Sequence, residues 1–161
     1  MAEKTRDTPG VLIFPPLIPL IALGAGLGLD RALPLTYLEG VPLDVLHGTA
    51  VGLAIAGALL VASSQIQLKK AGTNINPHLP VIALSTTGIY ARVRNPMYVG
   101  LFLLYIAITL MLPSQWGLIL AIPAILVLHF GVVLREERYL EAKFGDAYRA
   151  YKAKTRRYGL L

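Results

Sequence analysis

The sequence predicts an all-α integral membrane protein, about four transmembrane helices followed by a C-terminal amphipathic helix, forming one domain over residues 1–161 without a Rossmann unit. Three observations predict it. Charged residues make up 15% of the chain, against about 25% in soluble domains, and mean hydropathy is +0.62. Uncharged runs extend from Thr8 to Leu29, from Val45 to Leu68 and from Asn95 to Leu134. The Lys and Arg residues, finally, gather on one side of those runs. The chain contains no cysteine, which removes disulfides, thiolate metal sites and a Cys nucleophile from consideration.

A helix needs about 20 residues to cross the hydrocarbon layer. The three runs therefore give spans at about 11–29, 45–66, 97–112 and 116–134, with Pro113-Ser114-Gln115 dividing the longest run. The first is expected to be an uncleaved span: Pro15, Pro16 and Pro19 interrupt it, and no clean small-x-small cleavage site follows. Gly24-xxx-Gly28 within it, and Gly48, Gly52 and Gly57 in the second, are read as helix-packing surfaces. "GAGLG" fails as a nucleotide loop because no strand precedes it. The third span is short, so it is expected to continue through the turn or to lie in a thinned or protein-lined region.

Between the second and third spans, residues 70–95 are polar, rich in Gly, Pro and Asn, and too broken for a long helix. A loop of this length is usually functional or disordered. Tyr90 and the apolar piece Val81–Leu84 argue for an ordered loop against the membrane face. After the fourth span, Leu140, Phe144, Tyr148 and Tyr151 recur at helical spacing, and Gly145-Asp146 looks like a C-cap followed by an N-cap. Cytoplasmic helices are expected over 135–155. With both termini inside, 14 of the 15 Lys and Arg residues are cytoplasmic, among them Lys4, Arg6, Lys69, Lys70, Arg92 and Arg94; Arg31 alone is outside. Topology thus accounts for the net charge of +6 without nucleic acid.

The residues that could carry chemistry share the cytoplasmic side. Arg94-Asn95-Pro96 reads as a helix start: Asn95 can cap, Pro96 fits the first turn, and the unpaired N–H groups with Arg94 make an anion site. Tyr98 adds a hydroxyl and Gly100 a close backbone approach. Glu136 and Glu137 stand about 100° apart where an apolar helix meets the cytoplasm. They either form salt bridges with Arg135, Arg138 or Arg92, or serve a site. His129 is expected to be buried and bonded to a neighbouring helix, and His47 to hydrogen-bond at the outer interface; no metal motif is present. An anion-binding helix start, an acidic pair and aromatic side chains suit a small zwitterionic cofactor with an aromatic base.

"GIYARVRNPMYVG" (88–100), then "REERYLEAKFGDAYRAYKAKTRRYGLL" (135–161), resembles the isoprenylcysteine carboxyl methyltransferase family and the related phospholipid N-methyltransferases. The likeness covers about half the chain. It implies an integral membrane methyltransferase using S-adenosylmethionine and releasing S-adenosylhomocysteine, with a membrane-dissolved acceptor. Arg94, Asn95, Pro96, Tyr98 and Gly100 match the cofactor-side motif, Gly88 and Tyr90 its approach, and Glu136 and Glu137 the acidic pair. "AGTNINP" (71–77), with His78 after it, resembles the loop that closes near the cofactor. Asn95 stands where many carboxyl methyltransferases have His, a variant of bacterial-type and phospholipid members. The resemblance places the cofactor carboxylate at Arg94 and the α-helix start, and its ammonium at Glu137 or else Glu136; Arg94, Tyr98 and Glu137 are the expected catalytic residues. Ethanolamine headgroups, lipophilic carboxylates, thiols and quinol-type hydroxyls all remain open as acceptors, and oligomeric state is open. An NADPH-dependent sterol-reductase-like enzyme and a small non-enzymatic transporter or assembly protein are the rival readings, and no inverted repeat supports transport.

Overall fold

The computed structural model describes residues 7–159, so Lys4 and Arg6 of the expected cytoplasmic flank lie outside the described residues. The described chain is helical: α1 Leu17–Ala32, α2 Leu43–Lys70, α3 Pro96–Met111, α4 Gln115–Leu128, α5 Leu134–Phe144 and α6 Asp146–Lys154. A π-helical turn, His129–Val133, joins α4 to α5, and a 3-10 turn, Gly88–Ala91, precedes α3. Among the described residues the extended chain pairs only at one parallel bridge, Val93 with Arg156.

Among the described residues two helices are long and apolar enough to cross a membrane, α2 with 28 residues and the continuous helix Gln115–Phe144 with 30. Helix α3 is apolar but has 16 residues and stops at Met111, so it does not run through the turn as one reading of the third span expected. Helix α1 also has 16 residues and starts only after Pro15-Pro16, six residues later than the expected span. Large apolar side chains face outward along the bundle, including Ile21 (64% exposed), Leu59 (62%) and Ile122 (66%). An apolar surface that extensive is what a lipid-facing protein presents.

Two glycine crossings fix the packing. A Cβ on Gly57 would lie 2.8 Å from the Gly100 carbonyl oxygen, and one on Gly100 would lie 2.8 Å from that of Gly57, so α2 and α3 touch backbone to backbone. Helices α1 and α4 touch at Gly26, where a Cβ would lie 2.7 Å from the Gly117 backbone. Gly24, Gly28, Gly48 and Gly52 face open space, which corrects the expected Gly24-xxx-Gly28 and Gly48/Gly52 packing surfaces. Gly26 is two residues from each of Gly24 and Gly28, about 200° around the helix, so the contact sits on the opposite face.

Helix α2 packs on α3, α3 forms a hairpin with α4, and α1 packs mainly on α4 and also on α3. The α1–α2 connection crosses the start of α4: the Tyr37 hydroxyl donates to the Gln115 carbonyl (2.6 Å) and the Trp116 indole to that of Leu33 (2.7 Å). Ser114 caps α4 by accepting from the Gly117 N–H, and Asp30 accepts from the Ser114 hydroxyl and the Trp116 N–H. A carboxylate there matches the positive end of the helix dipole. The buried core, with Ile18, Phe102, Tyr105, Ala121, Leu128 and Val132, lies among α1, α3 and α4.

Two cap assignments change. Asn95 occupies the N-cap position of α3 with Pro96 at N1, but its side chain donates to the Arg157 carbonyl (3.2 Å) instead of accepting from the helix. Gly145, at φ +54°, both ends α5 and precedes α6, leaving Asp146 inside the first turn, paired with Arg149.

Candidate functional site

At the end of the bundle opposite Asp30 and Trp116, a cavity lies between the 70–95 loop, the start of α3, α5 and α6, enclosing about 850 Å³ of non-protein space with its mouth included. The sequence builds its walls locally. Helix α2 ends in a Schellman turn: Gly72 takes φ +69°, its N–H donates to the Lys69 carbonyl, and Thr73 donates to Leu68. That turn buries Thr73, whose hydroxyl accepts from Ile82 N–H (2.9 Å) and Ala83 N–H (3.3 Å), pinning the apolar insert over the cavity. Asn74 donates to the Pro80 carbonyl (2.7 Å) and closes the intervening loop. Gly88 takes φ +60°, a left-handed backbone that strains any side chain, and so lets the loop settle on the end of α2 beside Gln67.

Two arginines hold Glu137, which is 5% exposed. Arg94 donates from Nε (3.3 Å) and from its terminal nitrogen (3.1 Å) to Oε1, and Arg157 donates to Oε1 (2.9 Å) and Oε2 (2.8 Å). Arg94 also reaches the carbonyls of Lys152 and Thr155. Backbone bonds from Arg94 N–H to Arg156 O (2.8 Å) and from Asn95 N–H to Arg157 O (3.2 Å) lock the post-α6 segment beside the start of α3. Burial pushes the Glu137 carboxyl up, but the Arg157 bond and the charges of Arg94 and Arg157 outweigh it and hold the group below the ordinary carboxylate range.

Glu136 has a different environment. It accepts from the Tyr98 hydroxyl (2.6 Å), and no cation lies in salt-bridge range among the described residues. Burial raises its carboxyl to about 7, and the Tyr98 bond offsets only part of that. The sequence offered Arg135, Arg138 and Arg92 as partners for the acidic pair; the structure uses Arg94 and Arg157, and both serve Glu137.

The cavity brings together Tyr90, Arg94, Asn95, Tyr98, Glu136 and Glu137 of the expected site. Tyr148 and Tyr151, from the predicted aromatic stripe, both line it; Tyr148 is fully buried, and Tyr151 donates to the Tyr90 carbonyl (2.7 Å). Four expected residues stand off the wall. His78 is exposed and stacks on Phe14, Gly88 shapes the loop, Pro96 starts α3, and Gly100 packs on α2. His129 is half-buried and bonds Tyr158 in the post-α6 segment (2.7 Å), not a neighbouring membrane helix. Arg157 is the residue that sequence reasoning missed. A Tyr-rich basic run gives no cue as to which of its cations turns inward.

The phospholipid methyltransferase family profile matches residues 45–147, from the first turn of α2 to the start of α6. A protein-S-isoprenylcysteine O-methyltransferase of Schizosaccharomyces pombe is 32% identical over 127 residues, 74% of this chain and 52% of that protein, so the chain spans about half of that relative's length. An uncharacterized protein of Haemophilus influenzae is 47% identical over 62 residues, 38% of this chain and 98% of that protein. No solved structure matches. A match across α2, the loop, α3 and α5 takes in nearly every element that walls the cavity, and the chain belongs to the phospholipid methyltransferase family.

Proposed function

We propose that the chain is an S-adenosylmethionine-dependent methyltransferase acting on a membrane-dissolved acceptor. An isoprenylcysteine-type carboxylate and a phospholipid amine are the nearest family substrates. The observation that carries this reading is the cavity itself, in which ionised and protic side chains meet the neutral wall of the 70–95 loop at the end of a lipid-facing bundle. The donor set fits the cofactor's chemistry: carboxylates for an ammonium, a guanidinium and a helix start for a carboxylate, and a neutral wall for a heteroaromatic ring. When bound, the cofactor supplies a methyl group already activated on a sulfonium.

The chain's own residues divide the remaining work. Glu136, free of cations, faces the ligand ammonium or takes the proton from an amine acceptor at its carboxylate oxygen; an amine must be deprotonated before it attacks, while a carboxylate or thiolate needs no base. Tyr98 orients Glu136 through its hydroxyl. Glu137, clamped by Arg94 and Arg157, holds the start of α3 in register, with Arg94 and Asn95 at the edge where a carboxylate would sit. Tyr90 and the Thr73-anchored loop shape the pocket and exclude water. The one-sided placement of Lys69, Lys70, Arg92, Arg94 and the α5–α6 cations supports four spans with this end in the cytoplasm.

Membranes containing the protein, incubated with methyl-labelled S-adenosylmethionine, are expected to yield one labelled lipid or lipophilic small molecule, identified by mass spectrometry. Saturation binding of S-adenosylhomocysteine to purified folded protein is expected to accompany it. A folded protein that neither binds the one nor transfers from the other overturns the reading.

A further inference from the structure

Ser85 is a buried polar side chain that the roles above leave unused. It lies on the cavity wall just before the Gly88 turn, is 7% exposed, and its hydroxyl has no hydrogen-bond partner among the described residues. Other polar side chains of the loop are engaged. Thr73 accepts from the insert backbone, Asn74 donates to Pro80, and Thr87 accepts from Gln67. Buried hydroxyls are nearly always bonded, so an orphan at a ligand-sized cavity asks for an explanation. The cavity also has two chemically distinct walls. The charged groups, Arg94, Glu136 and Glu137, come from the start of α3 and from α5, whereas the loop offers neutral side chains such as Ile75, Leu84 and Ser85 itself.

We propose that Ser85 is a ligand-contacting residue whose hydroxyl bonds a polar edge atom of a purine ring lying against the loop wall. The proposal rests on the cofactor reading given above and adds a residue that selects the base. A serine hydroxyl turns among three staggered wells and both donates and accepts, so it can meet a ring nitrogen or an exocyclic amine without backbone movement.

The test compares parent and Ser85→Ala protein in detergent by calorimetric binding of S-adenosylhomocysteine and by thermal unfolding without ligand. Removing an unpaired hydroxyl should leave the unliganded unfolding temperature unchanged or higher, while affinity falls about tenfold, the effect of one lost hydrogen bond. S-inosylhomocysteine and the 1-, 3- and 7-deaza analogues then locate the contact. For the analogue that lacks the bonded atom, the parent should bind as weakly as Ser85→Ala, and the substitution should cost nothing further. Equal affinity of parent and variant for S-adenosylhomocysteine overturns the proposal. So does a lower unliganded unfolding temperature in Ser85→Ala, which marks a structural hydroxyl, or an affinity loss the same for every base analogue. A folded parent that fails to bind S-adenosylhomocysteine overturns the cofactor reading itself, and the assignment of Ser85 with it.

Discussion

Glu136 and Glu137 are neighbours in sequence with opposite electrostatic surroundings, and each makes a separate prediction. Removing Glu137 leaves the Arg94 guanidinium, 9% exposed, without its counter-ion. Breaking one side of a buried pair costs about 3–5 kcal/mol, so Glu137→Gln is expected to unfold at a markedly lower temperature in detergent, whereas Glu136→Gln should match the parent below about pH 5 and unfold at a higher temperature than the parent above about pH 7. The pH dependences also run opposite ways. A carboxyl raised from 4.5 to about 7 on folding stabilises while protonated, fully below about pH 4.5, and that contribution is lost as pH rises through about 7. Parent stability relative to Glu136→Gln is therefore expected to fall between about pH 5 and 8, read as the difference between two thermal-unfolding series. Glu137, held below the carboxylate range, contributes stability above its unfolded value and loses it as pH falls. If methyl transfer needs ionised Glu136, the rate should climb with an apparent pKa near 7, and Glu136→Gln should abolish that climb.

Helix contacts in this bundle are set by which glycine faces which helix, and they separate costly substitutions from harmless ones. A Cβ at Gly57, Gly100 or Gly26 meets backbone at 2.7–2.8 Å, which no rotamer change relieves. Alanine at any of the three is expected to destabilise by about 1–3 kcal/mol, as overpacking does. Alanine at Gly24, Gly28, Gly48 or Gly52, where nothing lies within 4 Å, should instead be neutral or stabilising by up to about 1 kcal/mol from helix propensity. Denaturation of the single variants in mixed micelles checks both signs. The sequence showed that α1 and α2 carry small residues, because composition is local. It did not show the register, because the partner helix chooses the face, and a spacing of four promoted the wrong glycines. Asn95 failed as a side-chain cap for a related reason: a residue some 60 positions later offers its amide a carbonyl. Helix ends marked by Pro96 and Gly145 were legible because the fixed φ of proline and the free φ of glycine act at the residue itself.

Across the whole molecule, α2 packs on α3 at the edge of the bundle and leaves its outer face exposed along its length, with Leu43, Val45, Val51, Ile55, Leu59 and Ile66 all facing outward. Helices of 16 residues rise about 24 Å, short of the roughly 30 Å hydrocarbon layer, so α1 and α3 cross fully only in a thinned bilayer or with flanking chain inside it. Because the chain has no cysteine, single cysteines report sidedness directly. In sealed cells, a membrane-impermeant maleimide should label Glu39→Cys and spare Lys154→Cys, and permeabilisation should expose the latter. The acids, Arg94 and the aromatic stripe of the cavity were readable as motifs. Their pairing was not, since Arg94, Glu137 and Arg157 are brought together by a chain reversal after α6 with no local signature. That reversal also orders biosynthesis. Residues 156 and 157 follow α6 in the chain, so until they are made Arg94 and Glu137 lack the segment that locks them. The wall of the cavity at the start of α3 is thus completed last, after the helices that carry it have been made.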